Sequence, residues 1–144
     1  MKTVHPYLNF PGNTLEAFEF YRSVFGGEFT NVTRFRDLGG GMGVAEAERD
    51  RIANIGLMIA PGVCMMATDV VESFPRSVVV GNNVHIMLEA DSKEEAERVF
   101  AALTDGGRVD MPLQATEWAE LYGSFSDRFG VLWMVNYAGD VQFG

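Results

Sequence analysis

The strongest constraint on this chain is that one pattern occurs in it twice. Val4 to Phe10 reads as a short apolar strand closed by the turn Pro11-Gly12-Asn13, and Asn13 stands three residues before Glu16, the spacing of a capping box. Ala17, Phe20, Tyr21 and Val24 then fall at i, i+3, i+4 and i+7, one helical face, and Gly26-Gly27 supplies the stop. From Val84 the order returns. A strand runs Val84 to Ala90, Ser92 and Glu95 form a second box, Ala96, Val99, Phe100 and Leu103 a second face, and Gly106-Gly107 a second stop. Boxes and faces repeat at a shift of 79 and the glycine pairs at 80. Caps, faces and stops recurring together point to a duplicated unit.

Strand-like sequence follows each helix. In the first half it covers Glu28 to Phe35, Ile52 to Ala60 and Val63 to Thr68, with Pro61-Gly62 as a hairpin turn. In the second half it covers Arg108 to Met111, Gly123 to Ser126 and Val131 to Tyr137. This predicts an α+β fold of two βαβββ modules, about 1–71 and 84–140, joined by a linker at 72–83 within a single domain spanning 1–144. Gly39, Gly40, Gly41 and Gly43 mark 37–50 as a mobile loop or lid, without the strand–turn–helix setting of a phosphate cradle. Val78-Val79-Val80 in the linker suits either an extra strand or a partner contact.

Strand alternation divides the opening strands into faces. A shift of 80 pairs His5 with His85 and Leu8 with Leu88, so Leu8 and Phe10, with Ile86, Leu88 and Ala90, lie under the helices. His5, Tyr7 and Asn9, with His85, Met87 and Glu89, share the opposite face. The boxes alone favour a shift of 79, which one extra residue in the first strand–helix turn reconciles. A one-residue slip would turn Leu8 and Phe10 outward, so the shift of 80 is the preferred register.

Composition excludes several function classes. The net charge of −9 repels phosphate backbones and anionic lipid, so neither nucleic acid nor membrane is an expected partner. A lone cysteine, Cys64, excludes an internal disulfide and any multi-cysteine metal site; in its apolar run it reads as an inert buried thiol. Met1 to Pro6 carries no signal-peptide core, and the expected location is cytoplasmic.

Pro6-Tyr7-Leu8-Asn9-Phe10, Gly12-Asn13, Glu16-Ala17 and Phe20 to Gly27 resemble the opening of PhnB-like proteins of the vicinal-oxygen-chelate (glyoxalase/bleomycin-resistance/extradiol dioxygenase) superfamily. Met111 to Gln114, Trp118, Asp127 to Val131 and Trp133 to Asn136 resemble that family's closing signature. The resemblance spans nearly the whole chain, lapsing at the glycine-rich loop and the linker. It implies modules whose sheets curl into an open cup, a small-molecule ligand and a homodimer. In metal-using relatives it implies a divalent ion that polarises neighbouring substrate oxygens.

That implied metal site is incomplete. His5 and His85 fall on the module-opening strands, where the superfamily places ligands, but the position of the carboxylate after Asp127 and Gly130 is Met134. A thioether cannot replace a hard oxygen ligand. Glu89 is the substitute acid if it points inward, making His5, His85 and Glu89 the candidate metal set. Tyr7, Asn9, Met87, Glu89, Trp118, Tyr122 and Met134 are the candidate ligand-pocket residues; packing explains the aromatic ones equally well. Glu117 and Glu120 read as a solvated edge around Trp118. Three readings stay open: a small-molecule-binding protein, a metal-dependent lyase, isomerase or dioxygenase, and an interaction module whose cup is filled by side chains.

Overall fold

The computed structural model describes residues 1–74 and 76–142, which fall into two compact units that divide between Val79 and Val80. The first contains β1 (Tyr7–Phe10), α1 (Thr14–Phe25), β2 (Phe29–Arg34), β3 (Ile52–Ala60) and β4 (Val63–Asp69). The second contains β5 (Ile86–Glu89), α2 (Lys93–Thr104), β6 (Arg108–Gln114), β7 (Leu121–Ser126) and β8 (Leu132–Tyr137). Each unit is a βαβββ module, and the expected α+β class holds. No helix among the described residues is long and apolar enough to cross a membrane.

The two sheets have the same topology. β1-β4-β3-β2 and β5-β8-β7-β6 each carry one parallel pair, first strand on last, and two antiparallel pairs. The ladders fix the register that the sequence left between two shifts. Met66 lies beside Tyr7 and Gly56, and Met134 lies beside Met87 and Ser124. Tyr7 and Met87 are 80 positions apart, whereas the helices begin at Thr14 and Lys93, 79 apart. The extra residue therefore sits in the first strand–helix turn, as the faces required.

In the first unit, α1 packs Ala17, Phe18, Tyr21 and Val24 onto β3 and β4, where Ile55, Leu57, Met65 and Ala67 are buried. Phe18 takes the place expected of Phe20, which is only half-buried. The apolar stripe is thus rotated toward Thr14 and Phe18. In the second unit, Ala96, Val99 and Leu103 are buried as expected, and half-buried Phe100 meets Phe125 edge-on at 5.2 Å. Opposite Phe100 the sheet needs Gly123, because a Cβ there would stand 2.6 Å from the Phe100 ring.

Three local expectations change. Asn13 makes no side-chain cap; the N–H of Thr14 instead donates to Asp69 Oδ1 at 3.0 Å. At α2 the box forms in part, with Glu95 N donating to Ser92 Oγ at 3.1 Å and Asp91 N to Glu95 Oε1 at 3.2 Å. The glycine-rich loop folds into three short turns, Phe35–Asp37, Gly39–Gly43 and Glu46–Glu48, the middle one with positive φ at Gly40, Gly41 and Met42. Arg36 ties Glu46 and Asp50 together there, and Phe35 and Val44 bury against Val71. A free lid is therefore the wrong picture for 37–50. Val78-Val79-Val80 forms no strand, and Val79 and Val80 are largely exposed.

Candidate ligand-binding faces

Each sheet has a face turned away from its helix, and period two decides what lies there. In the first unit that face carries Tyr7, Asn9, Asn31, Asn54, Cys64, Met66 and Thr68. Most of the polar groups satisfy one another. Tyr7 OH donates to Asn54 Oδ1 at 2.9 Å, Asn54 Nδ2 to Asn31 Oδ1 at 3.3 Å, and Asn31 Nδ2 to Thr33 Oγ1 at 3.1 Å. Burial raises the Tyr7 pKa, partly offset by the Arg76 charge and by Thr68. Cys64 is half-buried at this face, its Sγ 4.0 Å from Thr30 Oγ1, and is not the deeply buried thiol expected.

His5 closes the start of β1. Its Nδ1 accepts from Cys64 N at 2.9 Å, so in the neutral ring the proton sits on Nε2, which lies 3.4 Å from Thr3 Oγ1. In that tautomer neither nitrogen keeps a free lone pair to offer an ion.

The second unit's face is different in kind. Met87, Glu89, Met134, Asn136, Tyr122 and Ser124 lie together on it, with Gln114 beside Tyr122 on β6. Asn136 Nδ2 donates to Glu89 Oε2 at 2.6 Å, and Ala138 N donates to Glu89 Oε1 at 3.1 Å. Trp118, in the β6–β7 loop, meets the Tyr122 ring edge-on at 5.2 Å. Met87 is 58% exposed and Trp118 38%, whereas Tyr122 and Asn136 are buried. Glu120, expected at a solvated edge, accepts from Asp140 N at 2.9 Å; Glu117 is exposed.

The candidate pocket residues therefore divide between the units. Tyr7 and Asn9 belong to the first face, and Met87, Glu89, Trp118, Tyr122 and Met134 to the second. Asn31, Asn54 and Asn136 join them unannounced. Alternation would have found Asn136, two residues after Met134, but Asn31 needed the bulge between Phe29 and Asn31 to be known.

A divalent ion fits these residues poorly. Among the described residues no three His, Cys, Asp or Glu side chains gather as a metal-holding group. Glu89 already accepts two hydrogen bonds, His5 is engaged at Nδ1, and the carboxylate position of metal-using relatives is a methionine half-buried on β8. His85, half-buried before β5, is the least committed of the set.

The same architecture occurs in known proteins. PA1353 from Pseudomonas aeruginosa is 40% identical, with a TM-score of 0.83 over 96% of this chain and 98% of that one. Protein YjdN of Escherichia coli strain K12 is 28% identical over 142 residues, 91% of this chain and 92% of its own length. A Bacillus cereus structure described as a putative 3-demethylubiquinone-9 3-methyltransferase, PhnB protein, has a TM-score of 0.74 at 22% identity, over 94% of this chain and 98% of that one. Residues 4–135 match the family model of the Glyoxalase/Bleomycin resistance protein/Dioxygenase superfamily. With the paired βαβββ modules, that match makes this chain a member of the glyoxalase/bleomycin resistance/dioxygenase superfamily.

Proposed function

We propose that this chain binds a small organic molecule on the sheet face of its second unit that α2 leaves uncovered, and that it does so without a metal ion. The observation that carries the reading is the make-up of that face. Adaptable thioethers from Met87 and Met134 lie beside the Tyr122 and Trp118 rings, with Glu89 and Asn136 as polar anchors. Apolar walls with a few fixed polar groups are what ligand sites require.

The metal-dependent alternative loses support residue by residue. Its acid position is Met134, its substitute acid Glu89 is hydrogen-bonded twice, and His5 is turned to the Cys64 amide. A homodimer and a cytoplasmic location remain part of the proposal, the former supported by the exposed side chains of Val79, Val80 and Val84.

The test is a ligand screen by methyl and indole NMR in the presence of a chelator. Shifts at the Met87 and Met134 methyls and the Trp118 indole are expected. Titration with Mn²⁺ or Zn²⁺ is expected to show affinity weaker than about millimolar, unchanged by His85→Ala. Tight stoichiometric metal that is lost on Glu89→Gln would sink the metal-free reading.

A further inference from the structure

The uncovered face of the first unit carries three sulfur side chains side by side. Met58 lies directly across from Cys64 in the antiparallel β3–β4 ladder, and Met66 stands two residues further along β4. All three point away from α1, because alternation sends Leu57, Met65 and Ala67 into the core beneath the helix. Directly paired residues bring their Cβ atoms to about 4.5–5.5 Å, and diagonal neighbours such as Met58 and Met66 to about 7–8 Å, within reach of long side chains. Gly56, opposite Met66 and next to Met58 on this face, puts no side chain of its own between the two thioethers. The thiol is turned toward that glycine, where a Cβ would stand 3.2 Å from Cys64 Sγ. Solvent reaches the group: Met58 is 44% exposed, and Cys64 and Met66 are half-buried.

The second unit is an internal control. The ladders match Tyr7 with Met87 and Met66 with Met134, so the counterparts of Gly56, Met58 and Cys64 are Ser124, Ser126 and Leu132, paired in the same way. The same sheet forms there with one methionine and no thiol. The fold therefore does not demand the Met58–Cys64 pair.

We propose that Cys64, Met58 and Met66 form a site for a soft monovalent cation, cuprous copper, held by one thiolate and two thioethers. Sulfur donors of this kind select Cu(I) over the harder divalent ions. As the ion binds, the Cys64 S–H releases its proton to solvent and the thiolate sulfur donates an electron pair to the metal. Copper enters and stays as Cu(I), so the step needs neither oxidant nor reductant. Thiolate and ion cancel each other's charge at a half-buried position, and the −9 net charge draws a cation to the chain. His5 is no ligand here; its Nδ1 holds the Cys64 amide and so fixes the backbone that carries the thiol. The site is separate from the ligand face of the second unit and does not rest on it.

Transfer of Cu(I) from its bicinchoninate complex to the full, reduced chain under anaerobic conditions tests the assignment, followed by methionine-methyl NMR. Stoichiometric transfer is expected, with the Met58 and Met66 methyl resonances moving and those of Met87 and Met134 staying in place. Cys64→Ser should abolish it. Met58→Leu and Met66→Leu should each weaken it by about tenfold or more, since even outer-shell partners of a bound metal are worth that much. Met58 is exposed, so its variant leaves the core untouched and reads the site without a folding defect. No transfer would overturn the proposal. So would transfer that leaves both methyls unmoved, or that survives unchanged in the Met58→Leu/Met66→Leu double variant, either of which means an adventitious thiol adduct only.

Discussion

The indole Nε1–H of Trp133 donates to Asp127 Oδ2 at 2.9 Å, joining the turn before β8 to the core beneath it. Oδ1 of the same carboxylate accepts from Phe129 N at 2.8 Å and Val131 N at 3.1 Å. Asp127 and Trp133 are both buried, Trp133 completely. Asp127-Arg128-Phe129-Gly130 is thus a folded turn whose acid holds two amides and an indole. Its place in the closing signature is a structural one.

Asp127→Ala should therefore destabilise by about 2 kcal/mol or more, since it strands buried donors. Trp133→Phe removes one of those donors together with part of the core. A double-mutant cycle in urea should give a coupling of about 0.5–3 kcal/mol between the two sites. Additive effects would mean that the bond contributes nothing to the fold.

The helix starts make a second, contrasting prediction. Asp69 is 3% exposed and accepts from Thr14 N at 3.0 Å and Ile52 N at 2.8 Å, one amide for each oxygen. Asp69→Asn must turn a donor toward one of those amides and should lose about 1–3 kcal/mol. Asn13→Ala should stay within about 0.5 kcal/mol, because that side chain caps nothing and its Oδ1 is already unpartnered. Ser92→Ala, by removing a formed cap, should lose about 1 kcal/mol. A larger loss at Asn13 than at Ser92 in the same urea titration would reverse this assignment.

That contrast shows where sequence reasoning carries and where it stops. The duplication, both helices and all eight strands were legible, because periodicity and glycine stops are local signals. The cap at Asn13 was misread because its competitor, Asp69, lies 56 positions away and only the parallel β1–β4 pairing brings it near. The loop at 37–50 was misread for a similar reason. Its order comes from Arg36 reaching Asp50 and Glu48 reaching Ser73, pairings no glycine count reveals. On the candidate faces, strand alternation placed Met87 and Glu89 together, but the Asn136 amide that holds Glu89 is visible only in the β5–β8 ladder.

Packing of α2 against its sheet gives a third prediction. Gly123 does not take a positive φ, so space is what excludes a side chain: a Cβ would lie 2.6 Å from Phe100 Cε2 and 3.1 Å from Met111 O. Gly123→Ala should destabilise by about 1–3 kcal/mol through overpacking. Phe100→Leu withdraws the ring edge and should recover part of that loss when combined with it. Thermal unfolding of both single variants and the double variant measures the recovery; none would place the conflict at the Met111 carbonyl instead.

The fourth prediction concerns acid. Glu48 accepts from Glu72 N at 2.7 Å, Ser73 N at 3.2 Å and Ser73 Oγ at 2.9 Å, with Arg51 at 3.7 Å. The Glu72 amide is the largest cause that lowers its pKa below the usual carboxylate range, and burial opposes it. A carboxyl whose folded pKa is depressed stabilises the fold above its unfolded pKa and loses that contribution as pH falls through the folded value. Glu48→Gln carries no such charge, so it should be less stable than the parent near neutrality, and the gap should close on acidification. Urea midpoints measured from about pH 7 down to about pH 3 would follow it. Asp50, lowered chiefly by its hydrogen bond to Arg36, also titrates there, but it does so in both proteins and cancels in the difference. A gap that stayed constant across the range would show that the Glu48 charge does not anchor the 46–48 turn to the chain after β4.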